Sequence, residues 1–270
     1  MRRTFLKLLI GLMAVLPLTG AVAASAEQAP VLARIADSGT LRVGMSAGQP
    51  PFNVTSRDGK IIGLDVDLAG LLAAAIGVEL KIVEMPFADL LSALEGGDVD
   101  LVISGLTATL QRNMRVAFVG PYHISGKSIL ARSETIAALQ SDGLNEGSLK
   151  IAALRGSTSE DFVKLRAPDA QLTVTDTYDM AIELLLSDKV DLFVADAAII
   201  QLSKLRWPDA GLVSSIKPLT IEPIGVAVPA GDPLMLNLVE NYVDALIASG
   251  ALEQLRKKWF ESGAWLMQLP

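Results

Sequence analysis

From residue 32 onward, stretches with the apolar spacing of amphipathic helices alternate with short stretches that are almost wholly apolar. The stretch "LARIADSGTLRVGM" predicts a short helix followed by a strand, Leu41–Met45. The stretch "LDVDLAGLLAAAIG" predicts a helix that has Asp65 in its first turn or at its N-cap and that ends at Gly77. The next predicted strand is Leu80–Glu84. Helices that alternate with strands in this way predict an α/β fold with parallel strands.

The same helix–turn–strand unit occurs twice, as "DLLSALEGGDVDLVISG" and as "YDMAIELLLSDKVDLFVAD". Both strands are apolar throughout, which is typical of strands buried on both faces. Because ligands of open α/β sheets bind at the carboxyl ends of the strands, Ser104 with Gly105 and Asp196 are candidate site positions. The unit is common in α/β proteins in general. The unlike charges that follow the two strands, Arg112 and Asp196, favour a functional role here.

Two extended segments, "GKSILARSE" and "IEPIGVAVPAGDP", separate the second unit from the rest of the chain. Two such crossings predict two lobes, with the second inserted into the first. We expect the first lobe to hold residues 32–125 and 222–270, and the second lobe to hold residues 126–221.

Residues 1–26, "MRRTFLKLLIGLMAVLPLTGAVAASA", combine a basic start, an apolar stretch and a small-residue end of the A-x-A type. This pattern is typical of a secretory signal peptide. A membrane anchor is the alternative, but the apolar run is short for a bilayer span and is interrupted by Pro17. The sequence has no cysteine, which excludes a lipid anchor on cysteine and leaves the stability of the exported chain to its core.

The net charge of −7 becomes −10 when residues 1–26, which carry three cations and no acid, are removed. An acidic chain disfavours nucleic acid and anionic membranes as partners, because both attract basic surfaces. The single histidine, His123, makes a histidine-based metal site implausible. The sequence also lacks Walker, dinucleotide-binding and H-E-x-x-H motifs, so we predict neither a metal nor a cofactor.

The stretch Gly44–Gly48, "GMSAG", matches the G-x-S-x-G motif of serine hydrolases. A nucleophile elbow runs into a helix, whereas Pro50 and Pro51 bar a helix here. The stretch therefore favours a strand-to-loop turn in which Ser46 and Gln49 border a ligand site.

Two stretches have the composition of anion sites. "ISGLTATLQR" brings Arg112, whose rigid fork matches a carboxylate, close behind Thr107. "RGST" follows an apolar strand and opens a helix, so that Ser157 and Thr158 lie at a helix N-terminus. A solvated arginine at a helix start is the alternative interpretation of Arg112.

Asp196 ends an apolar strand, where an unpaired acid is costly, so it requires a cationic partner. That partner is either internal or the ammonium of a ligand. Asp196 across a cleft from Arg112 presents the two charges that a zwitterion needs. Phe87, just before a helix, is either a core residue or an aromatic wall for the ligand.

Taken in order, "PPFNV", "GKIIGLDVDLAGLLAAAIG", "GDVDLVISGLTATLQR", "LRGST", "KVDLFVAD" and "KKWF" resemble the family 3 bacterial solute-binding proteins, the polar amino-acid receptors of ABC importers. The resemblance covers nearly all of the chain after the signal peptide. It implies an α/β, two-lobe periplasmic binding protein fold of type II, with a two-strand hinge, that closes on an amino acid. It also implies a periplasmic protein, which we expect to be a monomer, that delivers its ligand to a membrane permease.

The resemblance implies a role for each candidate residue. The residues that resemble the carboxylate clamp of the family and its surroundings are Arg112, the hydroxyl of Thr107, the strand-end backbone of Ser104 and Gly105, and Thr158 with Ser157. Asp196 resembles the acid that takes the α-ammonium, and Phe87 resembles the aromatic that packs on the ligand.

Departures from the family pattern bear on the ligand's side chain. Ser46 stands where receptors for basic and some polar amino acids have an acid, and Gln49 stands where many have an aromatic. Leu154 stands where some members have a polar or charged residue. Without an acid near the first strand, a buried cationic side chain lacks a partner. Arg155 favours an acidic ligand if it faces the cleft, but Gly156 beside it can turn it to solvent. We expect a neutral polar or aliphatic amino acid.

Two other functions occur on this fold. Cyclohexadienyl dehydratases place a catalytic acid in the closed cleft, and the cleft acid found in this sequence, Asp196, is already assigned to the ammonium. Sensor modules of membrane signalling proteins also share the fold. No signalling domain follows "KKWF" in the sequence, so that function would require a separate soluble subunit.

Overall fold

A computed structural model describes residues 29–145, 147–215 and 217–269, apart from the side chains of 138 and 140–142. The predicted signal peptide, residues 1–26, lies outside the described residues. None of the described helices is both long enough and apolar enough to cross a membrane.

The described strands fall into two five-stranded sheets and one small antiparallel sheet. They are β1 (Thr40–Met45), β2 (Gly48–Gln49), β3 (Asn53–Thr55), β4 (Ile61–Ile62), β5 (Glu79–Glu84), β6 (Leu101–Val102), β7 (Ala117–Ser125), β8 (Lys127–Arg132), β9 (Lys150–Leu154), β10 (Gln171–Thr175), β11 (Leu192–Asp196), β12 (Leu212–Ser214) and β13 (Glu222–Val228).

The described α-helices alternate with these strands along most of the chain. They are α1 (Pro30–Ser38), α2 (Leu64–Ile76), α3 (Leu90–Gly96), α4 (Leu110–Asn113), α5 (Ser133–Asp142), α6 (Thr158–Arg166), α7 (Tyr178–Leu186), α8 (Ala197–Arg206), α9 (Pro233–Ala248) and α10 (Ala251–Arg256). Short 3-10 turns cover Phe87–Asp89, Pro208–Ala210 and Ala264–Gln268, and a π-helical turn covers Lys257–Glu261.

The first sheet has the strand order β5-β1-β6-β13-β7, and the second has the order β10-β9-β11-β8-β12. In each sheet the three strands named first are parallel, as the sequence predicts. The other two strands of each sheet join antiparallel, so both sheets are mixed. The reason is that β7, β8 and β13 belong to the crossings between the sheets. These strands join their sheets without the helical crossover connection that parallel pairing requires.

The chain passes from the first sheet to the second between β7 and β8, and it returns between β12 and β13. This confirms the prediction of two lobes with the second inserted into the first. The two crossings pack closely, because a Cβ atom added at Gly126 would lie 2.2 Å from the backbone oxygen of Thr220. Glycine is therefore required at this point of the hinge. The lobe limits of 32–125 with 222–270, and of 126–221, stay a prediction.

Most predicted elements are found within one or two residues of their expected bounds. Helix α2 begins one residue before Asp65, and Gly77 caps its end in the left-handed conformation (φ 72°), which glycine adopts without steric cost. The turn at Asp58-Gly59 joins β3 to β4. Strand β6 is shorter than the apolar run that predicted it.

Three buried apolar clusters hold the fold together. One packs α2 and α9 against the first sheet, and one packs α6 against the second. The third crosses from lobe to lobe, since Phe87 and Leu106 of the first join Leu154 and Tyr178 of the second. Burial of one such side chain stabilises a fold by about 1.5–3 kcal/mol. The lobes therefore lie closed on each other, and the loops at the strand ends face each other across the closed cleft.

Candidate functional site

The first-lobe wall of the cleft is a hydrogen-bonded group that follows β1 and β6. The amide of Ser46 donates to Oγ of Ser104 (3.0 Å), and the Ser46 hydroxyl lies 3.3 Å from Oε1 of Gln49. Gln49 is buried, and its Nε2 donates to the hydroxyl of Tyr178 in the second lobe (3.2 Å). The structure thus brings together Ser46, Gln49 and Ser104 at the cleft, and Tyr178 is a cleft residue that the sequence analysis missed.

Gly105 adopts the left-handed conformation (φ 54°), and a Cβ atom there would lie 3.3 Å from Gln49 and from the ring of Phe52. Its amide donates to Oδ2 of Asp65 (2.9 Å). The amide predicted to face a ligand is therefore engaged inside the first lobe. The side of Gly105 on which another residue would carry its Cβ atom faces the cleft residue Gln49.

Asp65 is the fully buried carboxylate that positions this strand-end loop. Besides the amide of Gly105, it accepts hydrogen bonds from Nδ2 of Asn53 (2.7 Å) and from the hydroxyl of Tyr122 (2.8 Å). Burial raises the pKa of Asp65 to about 6, and the three hydrogen bonds oppose the rise. The sequence placed this acid only at a helix start. The available signal was an acid on a helix face that is otherwise apolar.

Arg112 lies on the four-residue helix α4, which Thr109 caps by accepting a hydrogen bond from the Arg112 amide (3.1 Å). Its guanidinium donates to the backbone oxygen of Thr107 (2.8 Å) and, across the cleft, to the backbone oxygen of Gly156 (2.9 Å). The guanidinium carbon lies 5.8 Å from the centre of the Phe87 ring. Burial lowers the pKa of Arg112, and Asp161, Glu222 and Asp196 act in the opposite direction. The arginine is thus a cleft cation bonded to two carbonyl groups.

Asp196 ends β11 with its side chain almost wholly buried, and it has an internal cationic partner. Its Oδ1 accepts a hydrogen bond from Nζ of Lys127 (2.8 Å), which is the neighbouring position on the antiparallel strand β8. The Lys127 side chain is only 1% exposed. Of the two partners that the sequence left open for Asp196, the internal one is found for Oδ1. No hydrogen bond to Oδ2 occurs within the described part of the chain.

Glu222 adds a second buried carboxylate, at the start of the returning strand β13. Its Oε2 lies 3.0 Å from Nζ of Lys127 and accepts hydrogen bonds from the hydroxyls of Thr107 (2.8 Å) and Thr158 (2.7 Å). Its Oε1 accepts from the hydroxyl of Thr220 (3.0 Å). Burial acts to raise its pKa, but Lys127 and the threonine hydroxyls lower it below the usual range. Glu222 is therefore a carboxylate at neutral pH.

The sequence analysis missed both Lys127 and Glu222. Each lies in a segment recognised only as an extended crossing, and each is the first residue of its strand. The signal in the sequence was a charged residue at the start of each crossing strand, with opposite signs on the two crossings.

Two predicted second-lobe residues differ in how they face the cleft. The hydroxyl of Thr158 points to it and lies 3.5 Å from that of Thr107. The hydroxyl of Ser157 instead caps α6, since it accepts from the amide of Glu160 (3.2 Å) and donates to the backbone oxygen of Leu154 (2.7 Å). The structure thus brings Thr158 to the site and turns the Ser157 side chain away from it.

A cavity of about 500 Å³ opens between the lobes beside this polar centre. Its lining includes predicted site residues of the first lobe and facing residues of the second, namely Ser46, Gln49, Phe87, Leu154 and Tyr178. Two acids, Glu84 and Asp176, lie at its exposed edge, and Asp176 pairs with Arg155 (2.7 Å). Arg155 is itself exposed, so its charge is directed away from the buried centre.

Comparison with known proteins agrees with this architecture. The family described as "Bacterial extracellular solute-binding proteins, family 3" matches residues 41–262. The chain is 29% identical to the L-arginine-binding protein of Pseudomonas aeruginosa over 254 residues, which cover 91% of this chain and 96% of that protein. It is 25% identical over 231 residues to the cyclohexadienyl dehydratase of the same organism, covering 85% of this chain and 86% of that enzyme.

Among solved structures, the crystal structure of a P235GK mutant of ArgBP from T. maritima superposes with a TM-score of 0.80. The two are 32% identical, and the superposition covers 86% of this chain and 100% of that one. The family match spans more than half of the chain, and the structural match includes both lobes. The chain therefore belongs to the bacterial extracellular solute-binding proteins of family 3.

Proposed function

We propose that the protein captures an amino acid between its two lobes outside the cytoplasm and delivers it to the permease of an ABC importer. The observation that carries this proposal is the pairing of unlike charges at the closed cleft. Arg112 on the first lobe bonds across to the second lobe, and Asp196 at the end of β11 keeps one oxygen without a hydrogen bond in the described residues. An α-amino acid carries the two complementary charges.

Arg112 is the proposed receiver of the ligand α-carboxylate. Its two hydrogen bonds go to neutral carbonyl groups, and a carboxylate is a stronger acceptor for a guanidinium fork than two carbonyls are. The ring of Phe87 and the hydroxyls of Thr107 and Thr158 border the same place. Oδ2 of Asp196 is the proposed receiver of the ammonium. Contact with both lobes would favour the closed form over the open form.

The cavity beside the polar centre is the proposed place of the ligand's side chain. Its inner wall carries the neutral groups of Ser46 and Gln49, and these support a neutral polar or aliphatic ligand. The acids Glu84 and Asp176 lie at the exposed edge, where water weakens their pull on a cation. The relatives named for arginine make a cationic amino acid the competing ligand class in the test.

A dehydratase activity is the second candidate function, because Glu222 adds an acid to the cleft that the sequence analysis did not find. A general acid needs a proton at the working pH. Burial acts to raise the pKa of Glu222, but Lys127 and the hydroxyls of Thr158 and Thr107 lower it below the usual range, so the group is an ionised carboxylate. This favours binding over acid catalysis. The relative named as a dehydratase is the reason that prephenate and arogenate are included in the test.

The export, the periplasmic location and the monomeric state are parts of the same proposal. The basic and apolar pattern of residues 1–26 supports cleavage after export. Together with the family membership, it supports a periplasmic receptor whose partner is a membrane permease.

The test is a thermal-shift screen of the purified mature chain against the proteinogenic amino acids, prephenate and arogenate. The expected result is a rise in melting temperature with one or a few amino acids and none with prephenate. Wild-type and Asp196→Asn proteins are then titrated with the best amino acid by calorimetry, and Asp196→Asn should bind at least tenfold more weakly. A shift with prephenate or arogenate alone, together with release of a dehydrated product, would replace the receptor function by the enzyme.

A further inference from the structure

The buried pair Lys127 and Glu222 belongs to the hinge. Lys127 opens β8 and Glu222 opens β13, so each is the first residue of a crossing strand. Nζ of Lys127 lies 3.0 Å from Oε2 of Glu222, and the two side chains are 1% and 8% exposed. The desolvation of a buried ion pair costs about as much free energy as the attraction between its charges returns, so the pair contributes little net stability. Stability alone therefore does not account for its presence in the hinge.

Glu222 binds the hydroxyls that border the place proposed for the ligand carboxylate. Its Oε2 accepts one hydroxyl from each lobe, Thr107 at 2.8 Å and Thr158 at 2.7 Å. These are the two hydroxyls that the family resemblance assigns to the carboxylate end of the ligand. A carboxylate of the protein itself takes them both.

The ammonium of Lys127 binds the acid that is proposed to receive the ligand ammonium. It donates to Oδ1 of Asp196 at 2.8 Å. The family resemblance assigns Asp196 to the ammonium of the ligand, for which Oδ2 is the proposed acceptor. An ammonium and a carboxylate, 3.0 Å apart and held by one acid and two hydroxyls, present the charges of a bound α-amino acid.

We infer that Lys127 and Glu222 are specificity residues that act together as an internal substitute for a zwitterion. This inference rests on the proposed function. The pair links the closed lobes through Thr107 on one side and through Thr158 and Asp196 on the other. An arriving amino acid competes with it, and only a ligand with both charges replaces both halves without leaving a buried charge unpaired.

The inference predicts that each single truncation changes the class of ligand. Glu222→Ala empties the carboxylate place and leaves Lys127 on Asp196, so the variant should take a carboxylic acid that has no amine. Lys127→Ala empties the ammonium place between two carboxylates, so the variant should take an amine that has no carboxylate. The double variant empties both places and should take the amino acid more tightly than the wild type does.

The experiment is calorimetric titration of the wild type, both single variants and the double variant with three matched probe sets. Each set holds an amino acid, its decarboxylated amine and its deaminated acid. The sets are glutamine, 4-aminobutanamide and glutaramate; leucine, 3-methylbutylamine and 4-methylpentanoate; and arginine, agmatine and 5-guanidinopentanoate. In at least one set, the ratio of acid affinity to amine affinity should rise tenfold in Glu222→Ala and fall tenfold in Lys127→Ala.

If the two single variants keep the wild-type ratio in every set, or bind no acid and no amine, the inference is overturned. Failure of the proposed function is a separate outcome, in which neither the wild type nor the double variant responds to any proteinogenic amino acid in the thermal-shift screen. Small-angle scattering without ligand gives a second readout, because the radius of gyration of the double variant should exceed that of the wild type. Equal radii would contradict the closing role.

The controls separate specificity from folding. The exposed pair of Glu253 and Lys257 on α10, 4.0 Å apart, is removed as a matched double alanine variant and should leave all affinities unchanged. Where an alanine variant melts at a much lower temperature, Glu222→Gln and Lys127→Gln remove the charge with less loss of volume. They should shift the acid-to-amine ratio in the same directions.

Discussion

The side-chain amide of Gln49 in the first lobe donates a 3.2 Å hydrogen bond to the hydroxyl of Tyr178 in the second. Both side chains are buried, although 129 positions separate them in the sequence. The bond exists only while the lobes are closed. It therefore contributes to the difference in free energy between the closed and the open forms, and through that difference to ligand affinity.

Tyr178→Phe removes the acceptor and leaves Nε2 of Gln49 buried without that partner in the closed form. An unsatisfied buried donor costs about 1–3 kcal/mol, so we expect amino-acid affinity to fall by about fivefold to a hundredfold. Calorimetric titration measures this loss. Tyr242→Phe is the matched control, because the Tyr242 hydroxyl donates to the backbone oxygen of Leu68 within the first lobe (2.6 Å). Equal losses of affinity in the two variants would exclude a specific role of Tyr178 in closure.

Arg112→Lys should weaken amino-acid binding by about tenfold to a hundredfold. A lysine ammonium cannot reproduce the fork that reaches Thr107 and Gly156 together, and one charge-assisted hydrogen bond contributes about 1.5–3 kcal/mol. Titration of both proteins with an amino acid and with its decarboxylated amine checks the assignment. The loss should be confined to the amino acid.

Arg115→Lys is the matched control for Arg112→Lys. Arg115 lies three positions further along the chain and pairs with Glu95 at the surface. Its substitution should leave the affinity unchanged, because Lys keeps the positive charge and exposed ion pairs are worth about 0–1 kcal/mol. If the wild type binds the amine as tightly as the amino acid, Arg112 is not a carboxylate clamp.

The sequence was sufficient for the order and type of the elements and for the two-lobe plan, because those depend on local apolar spacing and on turn residues. It also located the cleft, since Ser104, Gly105, Thr158 and Asp196 lie at strand ends or a helix start. These positions follow from element boundaries, which short motifs mark well.

The same reasoning could not identify the side chains that pair with the cleft residues inside the protein. Lys127 meets Asp196 over 69 positions because β8 joins the second sheet antiparallel, and Glu222 meets Thr107 over 115 positions. No local pattern encodes that register. Ser157 shows a different difficulty, because a serine hydroxyl at a helix start can either contact a ligand or cap the helix. The sequence does not distinguish the two roles, and the backbone geometry shows that Ser157 caps the helix.

Asp65 should make the protein less stable at neutral pH than at pH 4. Its folded-state pKa of about 6 lies above the ordinary value of 3.8, so the folded state holds the proton more tightly than the unfolded state does. Stability from this group is fully present below the unfolded pKa of 3.8 and is lost as the pH rises through 6, by about 2 kcal/mol between pH 4 and pH 7.

Asp65→Asn removes this titration and can keep the hydrogen bonds, because the amide oxygen accepts from Gly105 and the amide nitrogen can donate to the Tyr122 hydroxyl. We expect the free energy of unfolding of the variant, relative to the wild type, to rise by about 2 kcal/mol between pH 4 and pH 7. Urea unfolding at the two values of pH measures it. Asp37→Asn, an exposed change on α1, is the control. A difference between Asp65→Asn and wild type that is independent of pH would contradict the raised pKa.

Gly126→Ala should weaken both the fold and the ligand-binding site. The new Cβ atom would lie 2.2 Å from the backbone oxygen of Thr220 and 2.8 Å from Cβ of Pro218, so the two crossing segments would have to separate. Thr220 donates to Oε1 of Glu222, and its hydroxyl accepts from the Lys127 amide (2.9 Å). The displacement would therefore reach the buried pair in the hinge.

Overpacking of this kind costs about 1–3 kcal/mol, so the free energy of unfolding of Gly126→Ala in urea should fall by at least that amount. Amino-acid affinity should fall as well, because the closed form contains the strained contact. Gly70→Ala is the matched control: Gly70 lies inside α2, and nothing is within 4 Å of the added atom. That change should raise stability by roughly 0.5–1 kcal/mol and leave affinity alone. If Gly126→Ala unfolds at the same urea concentration as the wild type, the two crossings are not packed as closely as this structure has them.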